Sequence, residues 1–327
     1  MNDNPPLVSI GVPTCNRARL LEQALASLLA QDYPRIEIIV SDNLSDDDTP
    51  AVCERLARQH SCLRHVRQRE RVPPMANFRL ALTEARGELF MWAADDDLWE
   101  PRFISTLVPR LVANSKLVLA MCEAQYRLPD GPRLPFFPEG TFWHRPLAMS
   151  RFERLMAVAD HNYGDLIYGI YRREVLFKPD GGTVLDHWTH VNEIPMFLAV
   201  AARGEIAVVP EVHFLKTVGV STYLVASREY EFYPPASQLP GFTDGGWLRR
   251  VYQRLRAVVK WPKLAIHHWK YSRRAWRDIV ATIDMLDLTA EEHRLLHARF
   301  RRNLRRHWLK QAFWWQFEDA FLPRKIV

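Results

Sequence analysis

The stretch LFMWAADDDLWEP at residues 89–101 constrains the fold most strongly, because its apolar run stops abruptly at three consecutive acids. A short apolar run that ends at a polar break is typical of a buried strand in a parallel sheet. In open α/β sheets, ligands bind at the edge where the carboxyl ends of such strands meet. The sequence therefore predicts a ligand site at Asp95, Asp96 and Asp97.

Three adjacent carboxylates repel one another, and a segment that only forms a turn does better with one Asp beside Gly or Asn. A hard divalent cation such as Mg2+ or Mn2+ removes this repulsion, because it prefers oxygen ligands and bridges readily to a diphosphate. The alternative interpretation is a solvated acidic loop without a ligand. The acids alone leave both interpretations open.

Strands and helices are predicted to alternate along the first 115 residues. Residues 7–12, 36–40 and 63–66 carry strand patterns, and residues 20–29, 51–59 and 75–85 carry helical ones. Strands alternating with helices of this length predict a doubly wound, parallel α/β sheet.

The loop after the first strand excludes one large class of nucleotide-binding domain. It reads Pro13-Thr14-Cys15-Asn16, and the chain contains neither G-x-G-x-x-G nor a P-loop. A dinucleotide-binding Rossmann domain needs the glycine-rich turn at this position. Phosphates are therefore expected to meet a metal and basic side chains instead of a nest of backbone amides.

Four segments together resemble the family 2 inverting glycosyltransferases of GT-A fold, in both their order and their spacing. The segments are Val12–Arg17, Val40–Asp47, Asn77 and Asp95–Pro101. The resemblance is tight over about the first 115 residues and looser over residues 165–222. It implies a GT-A type, doubly wound, mostly parallel sheet and a divalent cation (Mg2+ or Mn2+). It also implies inverting transfer of a sugar from a nucleotide-diphosphate sugar to a hydroxyl of a cell-envelope glycan or lipid-linked acceptor.

The resemblance also implies which residues hold the nucleotide sugar. The loop after the first strand and Asp42 would lie along the base, where a carboxylate accepts from a pyrimidine N–H. Arg69 and Arg71 would approach the base or the diphosphate. For Asp42, the alternative is a turn or helix cap. The implied nucleotide-sugar residues are Pro13, Thr14, Arg17, Asp42, Arg71, Asn77, Asp95 and Asp96.

Two departures from the family pattern affect the metal site. Cys15 replaces an aromatic residue that is frequent in the first motif, and Ala94 stands where many members carry the first Asp of the metal motif. The resemblance then implies Asp96 or Asp97 as the metal ligand. Asp95 would lie on the ribose or also near the metal.

The catalytic base implied by the resemblance is Glu193, because it precedes Gly204 at the family's distance. Asn192 replaces the first acid of the Glu-Asp motif. Asp186 and His187 are rivals on the same loop, and a helix N-terminal acid is the structural alternative for Glu193. The His that many relatives carry near the diphosphate is replaced by a segment beginning at Thr217.

Charge divides the chain into an acidic body and a basic extension. Residues 247–327 carry 19 Lys and Arg against 7 Asp and Glu, whereas residues 1–246 carry 25 against 31. We expect a GT-A domain over residues 1–246, with a nucleotide-binding half (1–115) and an acceptor half (116–246). Residues 247–327 would form a basic, aromatic-rich helical extension. We expect this extension to make peripheral contact with an anionic membrane, and we do not expect it to bind nucleic acid.

Composition places further bounds on the class of protein. The sequence lacks an uncharged apolar run of about 18 residues and a signal peptide, so a cytoplasmic protein is expected, with peripheral association at the inner face of the membrane left open. Its four cysteines lack zinc-ligand spacing and are expected to be reduced. A nucleotidyltransferase, or a degenerate GT-A-like protein that only binds membrane or nucleic acid, stays open as an alternative.

Overall fold

The structure is a computed structural model that describes residues 4–127, 134–135, 149–160, 164–186, 193–217 and 273–313. The chain divides into two compact units, Met1–Val220 and Ser221–Val327. The predicted boundary at residue 246 and the helix pattern predicted from residue 247 to 272 lie outside the described residues. The boundary therefore stays a prediction.

Nine described strands form one sheet, and eight described α-helices accompany it or belong to the second unit. The strands are β1 (Val8–Thr14), β2 (Ile36–Asp42), β3 (Leu63–Arg67), β4 (Leu89–Trp92), β5 (Leu98–Trp99), β6 (Leu117–Arg127), β7 (Leu134–Pro135), β8 (Ile170–Arg172) and β9 (Glu205–Thr217). The helices are α1 (Ala18–Leu29), α2 (Thr49–Gln59), α3 (Pro74–Thr83), α4 (Phe103–Ala113), α5 (Arg151–Asp160), α6 (Ile194–Arg203), α7 (273–284) and α8 (Ala290–Phe313).

The first four strands form the parallel half of the sheet, in the order β3-β2-β1-β4. Val8 is in register with Ile36 on one side and with Leu89 on the other. The chain winds outward from β1 to β3 and then returns to the opposite side of β1. This reversal creates a topological switch point between β1 and β4, which is where open α/β sheets bind ligands.

The other half of the sheet is mixed. Strand β8 is antiparallel to β4 and β6, β9 is parallel to β6, and β5 is antiparallel to β9. The sequence predicts a strand over residues 163–173, but only Ile170–Arg172 forms one, with 3-10 turns on both sides. Residues 207–210 and 212–216 carry two separate strand patterns, yet both belong to the single strand β9. One of the register shifts between β6 and β9 falls between Val209 and Val212, around Pro210, which cannot donate to the ladder.

Aromatic packing anchors the strand that leads into the three acids. The rings of Phe90 and Trp92 meet edge to face with centroids 4.7 Å apart, and Trp92 meets Tyr171 in the same way at 5.7 Å. The indole Nε1 of Trp92 donates to the carbonyl of Phe78 at 3.1 Å. All three rings are fully buried. The carboxyl end of β4 is therefore held rigidly, which suits a ligand site placed directly after it.

Gly169 allows β8 to approach β6 closely. A Cβ atom at this position would lie 2.8 Å from the carbonyl oxygen of Ala120 and 2.6 Å from Cδ1 of Leu119. A glycine in a strand pattern is compatible with close approach of a ligand or with a packing role. The close contact with β6 supports packing.

The described part of the second unit consists of α7 and α8. Thr289 and Glu292 form a capping box at the start of α8, because the Thr289 N–H donates to Glu292 Oε2 at 2.9 Å and the Glu292 N–H donates to Thr289 Oγ1 at 3.2 Å. Ile283, Leu296 and Phe300 are buried. Within the described ranges, neither helix nor any other is long and apolar enough to cross a membrane.

Candidate active site

The switch point between β1 and β4 brings together Thr14, Arg17, Asp95 and Asp96. The Thr14 hydroxyl donates to Asp95 Oδ2 at 2.7 Å. The Arg17 Nη1 donates to Asp96 Oδ2 at 2.7 Å and lies 3.4 Å from Asp95 Oδ1. Because β1 and β4 are parallel neighbours, their carboxyl ends deliver these side chains to one edge.

The cluster is largely shielded from water. The side chains of Arg17 and Asp96 are 11% and 7% exposed. Burial raises the pKa of Asp95 to about 6, although the Arg17 guanidinium and the Thr14 hydroxyl oppose this shift. Burial also lowers the pKa of Arg17, but Asp95 and Asp96 outweigh that effect and the net shift is upward. Arg17 therefore remains a cation and supplies the counter-charge for two buried carboxyls.

Asp97 points to a different part of the sheet. Its Oδ1 accepts from the backbone N–H of Thr217 at 2.9 Å, and its Oδ2 lies 3.9 Å from the Lys216 ammonium. The side chain is 3% exposed. These contacts tie the acidic loop to the end of β9, and they favour Asp96 over Asp97 as a ligand-facing acid.

Asp95 and Asp96 fit a divalent cation. Both carboxylates turn an oxygen toward the same guanidinium nitrogen, which marks a point where the two acids accommodate positive charge. Mg2+ is commonly held by one or two carboxylates together with substrate phosphates and water. Among the described residues, no group of three or more His, Cys, Asp and Glu is arranged to hold a metal. The diphosphate and water would therefore complete the coordination.

Asp42 lies beneath the loop that follows β2. Its side chain is fully buried, Oδ1 accepts from the Ser45 N–H at 2.9 Å, and Oδ2 lies 3.3 Å from His65 Nε2 and 3.6 Å from Arg67 Nε. Burial raises the pKa of Asp42, but hydrogen bonds from His65 and Ser45 outweigh burial and lower it overall. The observed contacts are those of a turn cap. Both carboxylate oxygens are engaged by protein groups, and contact of Asp42 with a nucleotide base stays a prediction.

Asn77 joins the ends of β1 and β2 beside the crevice, which is the space at the switch point between β1 and β4. Its polar side-chain atoms are bonded within the protein. Its Oδ1 accepts from the Ser41 hydroxyl at 2.6 Å. Its Nδ2 donates to the carbonyls of Ser41 and Thr14 at 2.9 and 3.4 Å. The side chain is buried, so it acts as a positioning residue for the loop that carries Thr14 and Arg17.

Replacing Asn77 by alanine is expected to lower the free energy of unfolding by about 1–3 kcal/mol, because buried groups of Ser41 and Thr14 lose their partners. Chemical denaturation measures this loss. Nucleotide affinity should fall as well, since the β1 loop is no longer held. Asn114→Ala, whose side chain bonds Glu205 at 2.8 Å outside the crevice, is the control and should retain nucleotide affinity. Wild-type stability and affinity in Asn77→Ala would contradict the positioning role.

Two asparagines hold the loops around the crevice by hydrogen bonds. The sequence did not single out either of them as a site residue. Asn43 exchanges two hydrogen bonds with the backbone of Val72, both at 2.9 Å. Asn16 has a positive φ of 56° and accepts from the Asp46 N–H at 2.9 Å. Both stand inside the matched segments, and tolerance of Asn for positive φ was the available signal for Asn16. Together they hold three loops at the sheet edge.

Arg71 lies at the rim of this region, where its Nη2 is 3.1 Å from Asp46 Oδ1. Both side chains are substantially exposed, so the pair contributes little to stability. Arg71 is consequently available to an incoming ligand. Pro13 is buried inside β1, in register with Ser41, and contributes to the site through its backbone position.

The contacts of Asp186 bear on the choice between the two candidate bases. Asp186 accepts from Lys178 Nζ at 3.1 Å and from the Thr183 N–H at 2.9 Å, and it pairs with Arg79 Nη2 at 3.1 Å. Burial raises the pKa of Asp186, but the contacts with Lys178 and Thr183 lower it overall. A carboxylate held in this way is a weak base. Glu193 is half-buried at the N-cap of α6, and residues 187–192, including His187, His190 and Asn192, lie outside the described residues.

The chain matches the sequence model of one protein family. The model of "Glycosyl transferase family 2" matches residues 9–176, which is just over half of the sequence. This chain belongs to glycosyl transferase family 2. The matched range contains the whole Thr14–Arg17–Asp95–Asp96 cluster, so the resemblance noted in the sequence is confirmed.

Curated relatives of this member of glycosyl transferase family 2 match it over part of their length. A GalNAc(5)-diNAcBac-PP-undecaprenol beta-1,3-glucosyltransferase of Campylobacter jejuni is 37% identical over 118 residues, which are 36% of this chain and 38% of the relative. The uncharacterized protein Rv1520 of Mycobacterium tuberculosis is 27% identical over 202 residues, which are 60% of this chain and 54% of the relative. The matches thus span between about a third and about half of these relatives.

Solved structures confirm the fold of this member of glycosyl transferase family 2. The crystal structure of S. aureus TarS 1-349 has a TM-score of 0.58 at 16% identity, and the match covers 96% of this chain and 78% of that TarS 1-349 chain. The same protein in complex with UDP-GlcNAc gives a TM-score of 0.57 at 16% identity, with coverage of 91% and 72%. The predicted GT-A type, mostly parallel α/β fold is therefore confirmed.

Proposed function

We propose that this family 2 glycosyltransferase moves a sugar from a nucleotide-diphosphate sugar to an acceptor hydroxyl, with inversion and with the help of a divalent cation. The observation that carries the proposal is the convergence of Arg17, Asp95 and Asp96 at the switch point between β1 and β4. This is the position at which open α/β sheets bind nucleotides. Family membership supports the reaction class.

Different residues of the chain are proposed to bind different parts of the donor. Asp95, held by the Thr14 hydroxyl, is proposed to accept from a ribose hydroxyl, and Asp96 is the proposed metal ligand. Arg17 and the exposed Arg71 supply positive charge for the diphosphate. When bound, the cation offsets the negative charge that builds on the leaving diphosphate.

Glu193 is proposed as the general base. A single displacement needs one carboxylate that takes the proton from the acceptor hydroxyl while its oxygen attacks the anomeric carbon from the face opposite the diphosphate. The configuration at that carbon then inverts. The contacts that hold Asp186 weigh against Asp186 as the base.

The acceptor is proposed to be a lipid-linked or other cell-envelope glycan. The name of the C. jejuni relative describes a glucosyltransferase whose acceptor saccharide is linked through a diphosphate to undecaprenol. The matched residues cover only part of that relative, so this acceptor class is a proposal for the present chain.

Thermal unfolding with UDP, GDP, dTDP and CMP, with and without Mn2+, tests donor binding. A ligand at about one hundred times its dissociation constant stabilises the folded state by about 2.7 kcal/mol. We expect one nucleotide to raise the unfolding temperature in the presence of Mn2+ and to do so less without it. If no nucleotide raises it under either condition, the proposed donor site is wrong.

A basic face on α8 supports a second proposal, that the extension docks on the anionic inner face of the membrane. Side chains on this face recur at helical spacing, and most are exposed. They are His293, Arg294, His297, Arg301, Arg302 and Arg305. Each basic residue close to an anionic bilayer contributes about 1 kcal/mol to binding. This proposal places the enzyme on the cytoplasmic side, beside a lipid-linked acceptor.

The double variant Arg301→Gln/Arg302→Gln is expected to bind phosphatidylglycerol vesicles about 30-fold more weakly than wild type at low salt, since two contributions of about 1 kcal/mol are lost. Vesicle sedimentation measures the change, and high salt should weaken wild-type binding too. The matched control is Arg274→Gln/Arg277→Gln, which removes two exposed arginines from α7. Equal losses in both variants would indicate a nonspecific charge effect and would contradict docking through the basic face of α8.

A further inference from the structure

We propose that Arg17 competes with the divalent cation for Asp96, so that the metal site stays closed until the metal and the donor diphosphate arrive together. The inference rests on the proposed function and assigns a regulatory role to a residue of the same site. It starts from the ion pair between Arg17 Nη1 and Asp96 Oδ2 at 2.7 Å, with Asp95 Oδ1 at 3.4 Å.

The ion pair and a bound metal exclude each other at the same oxygen atoms. The guanidinium nitrogen lies at hydrogen-bonding distance from Oδ2 of Asp96, within a cluster that is largely buried. A cation that coordinates this oxygen would have to displace the nitrogen. Two positive groups side by side would also repel each other strongly where water is scarce.

Charge balance indicates when the exchange becomes favourable. With both acids ionised, Asp95, Asp96 and Arg17 together carry one negative charge. A divalent cation alone would turn this into one positive charge inside a buried cluster. A divalent cation together with a diphosphate that carries two negative charges leaves the balance unchanged, and it gives the displaced guanidinium an anionic partner.

The backbone of Arg17 allows the side chain to move while the loop stays in place. The Arg17 N–H donates to Thr49 Oγ1 at 3.2 Å, and its carbonyl accepts from the Leu21 N–H at 2.9 Å at the start of α1. These contacts fix the main chain only. Rotation of the long side chain can therefore transfer the guanidinium from Asp96 to the diphosphate without remodelling the fold.

The prediction is that wild-type protein binds Mn2+ weakly without nucleotide, and that Arg17→Gln binds it at least about tenfold more tightly. Loss of the free Mn2+ signal in electron paramagnetic resonance measures this binding without any turnover. Asp96→Asn in the Arg17→Gln background should abolish the gain. The matched control is Arg67→Gln. It removes the positive charge beside the buried Asp42 side chain and should leave Mn2+ affinity unchanged.

A second measurement covers the case in which Arg17→Gln is unstable because it leaves two buried acids without a counter-charge. Mn2+ alone should then raise its unfolding temperature and leave that of wild type unchanged. Wild-type Mn2+ affinity in Arg17→Gln, with no stabilisation by Mn2+, would overturn the inference. If wild type still binds Mn2+ with a nucleotide diphosphate, only the competition fails. If no variant binds Mn2+ with or without nucleotide, the metal-dependent function fails as well.

Discussion

Replacing Glu193 by glutamine is expected to lower sugar transfer by about 10^2- to 10^4-fold while donor affinity changes little. Glutamine keeps the shape and the hydrogen-bonding capacity of the side chain but cannot accept the acceptor's proton. Because the loss falls on the chemical step, kcat should fall and the dissociation constant for the donor should stay near the wild-type value. Steady-state release of the nucleoside diphosphate, together with donor titration, measures both quantities.

Asp186→Asn is the control for this prediction. Asp186 is held by Lys178, Thr183 and Arg79, so its replacement should lower stability more than it lowers the rate of transfer. If Glu193→Gln retains near-normal transfer and Asp186→Asn abolishes it, the base lies seven residues earlier. If both variants retain transfer, the base belongs to another part of the acceptor half.

Replacing Asp96 by asparagine is expected to abolish the divalent dependence of nucleotide binding and to lower transfer by about 10^2-fold or more, since a metal ion contributes several kcal/mol to transition-state stabilisation. The variant should remain folded, because it removes one charge from a cluster that still contains Arg17 and Asp95. Nucleotide titration with Mn2+ and with excess chelator measures the first effect, and steady-state turnover measures the second.

Asp97→Asn separates the two acids that the sequence could not rank. Its carboxylate accepts from the Thr217 backbone and lies near Lys216, so we expect a loss of stability with retained Mn2+ dependence. The opposite pattern, in which Asp97→Asn loses Mn2+-dependent nucleotide binding and Asp96→Asn keeps it, would move the metal ligand to Asp97. Full activity of both variants in excess chelator would contradict any metal role for the acids.

The parallel half of the fold was predictable because its signals are local. Each of the first strands is a short apolar run that ends at a polar loop, and an amphipathic helix follows most of them. The same local pattern places Thr14, Arg17, Asp95 and Asp96 at one edge, since parallel strands meet there with their carboxyl ends. Their common edge therefore follows from the sequence, whereas the ion pairs of Arg17 with Asp95 and Asp96 do not.

Roles that depend on distant partners could not be predicted in this way. Asp96 and Asp97 are equivalent in sequence, and only the pairing of the acidic loop with β9, 120 residues away, distinguishes them. Asp42 is covered by His65 from β3, which turns a candidate base contact into a turn cap. Asn77 likewise owes its positioning role to β1 and β2, and no local pattern reveals that packing.

The continuous strand β9 shows that part of the fold also depends on partners that are distant in the sequence. Pro210 and its neighbours read as a break between two strands, because proline cannot donate to a ladder. Pairing with β6 instead absorbs Pro210 in a register shift and lets the strand continue to Thr217. That continuation delivers the backbone N–H that holds Asp97, so a tolerated irregularity helps to shape the candidate site.

The most direct test of the account is nucleoside diphosphate release from a panel of nucleotide sugars, including UDP-GlcNAc, by the wild-type chain and by Asp96→Asn. The assay contains Mn2+ and a bacterial lipid extract as the source of acceptors. The account predicts release from one donor class by wild type, at least about 10^2-fold slower release by Asp96→Asn, and product of inverted anomeric configuration by NMR. Equal release by both proteins, or retention of configuration in the product, would contradict it.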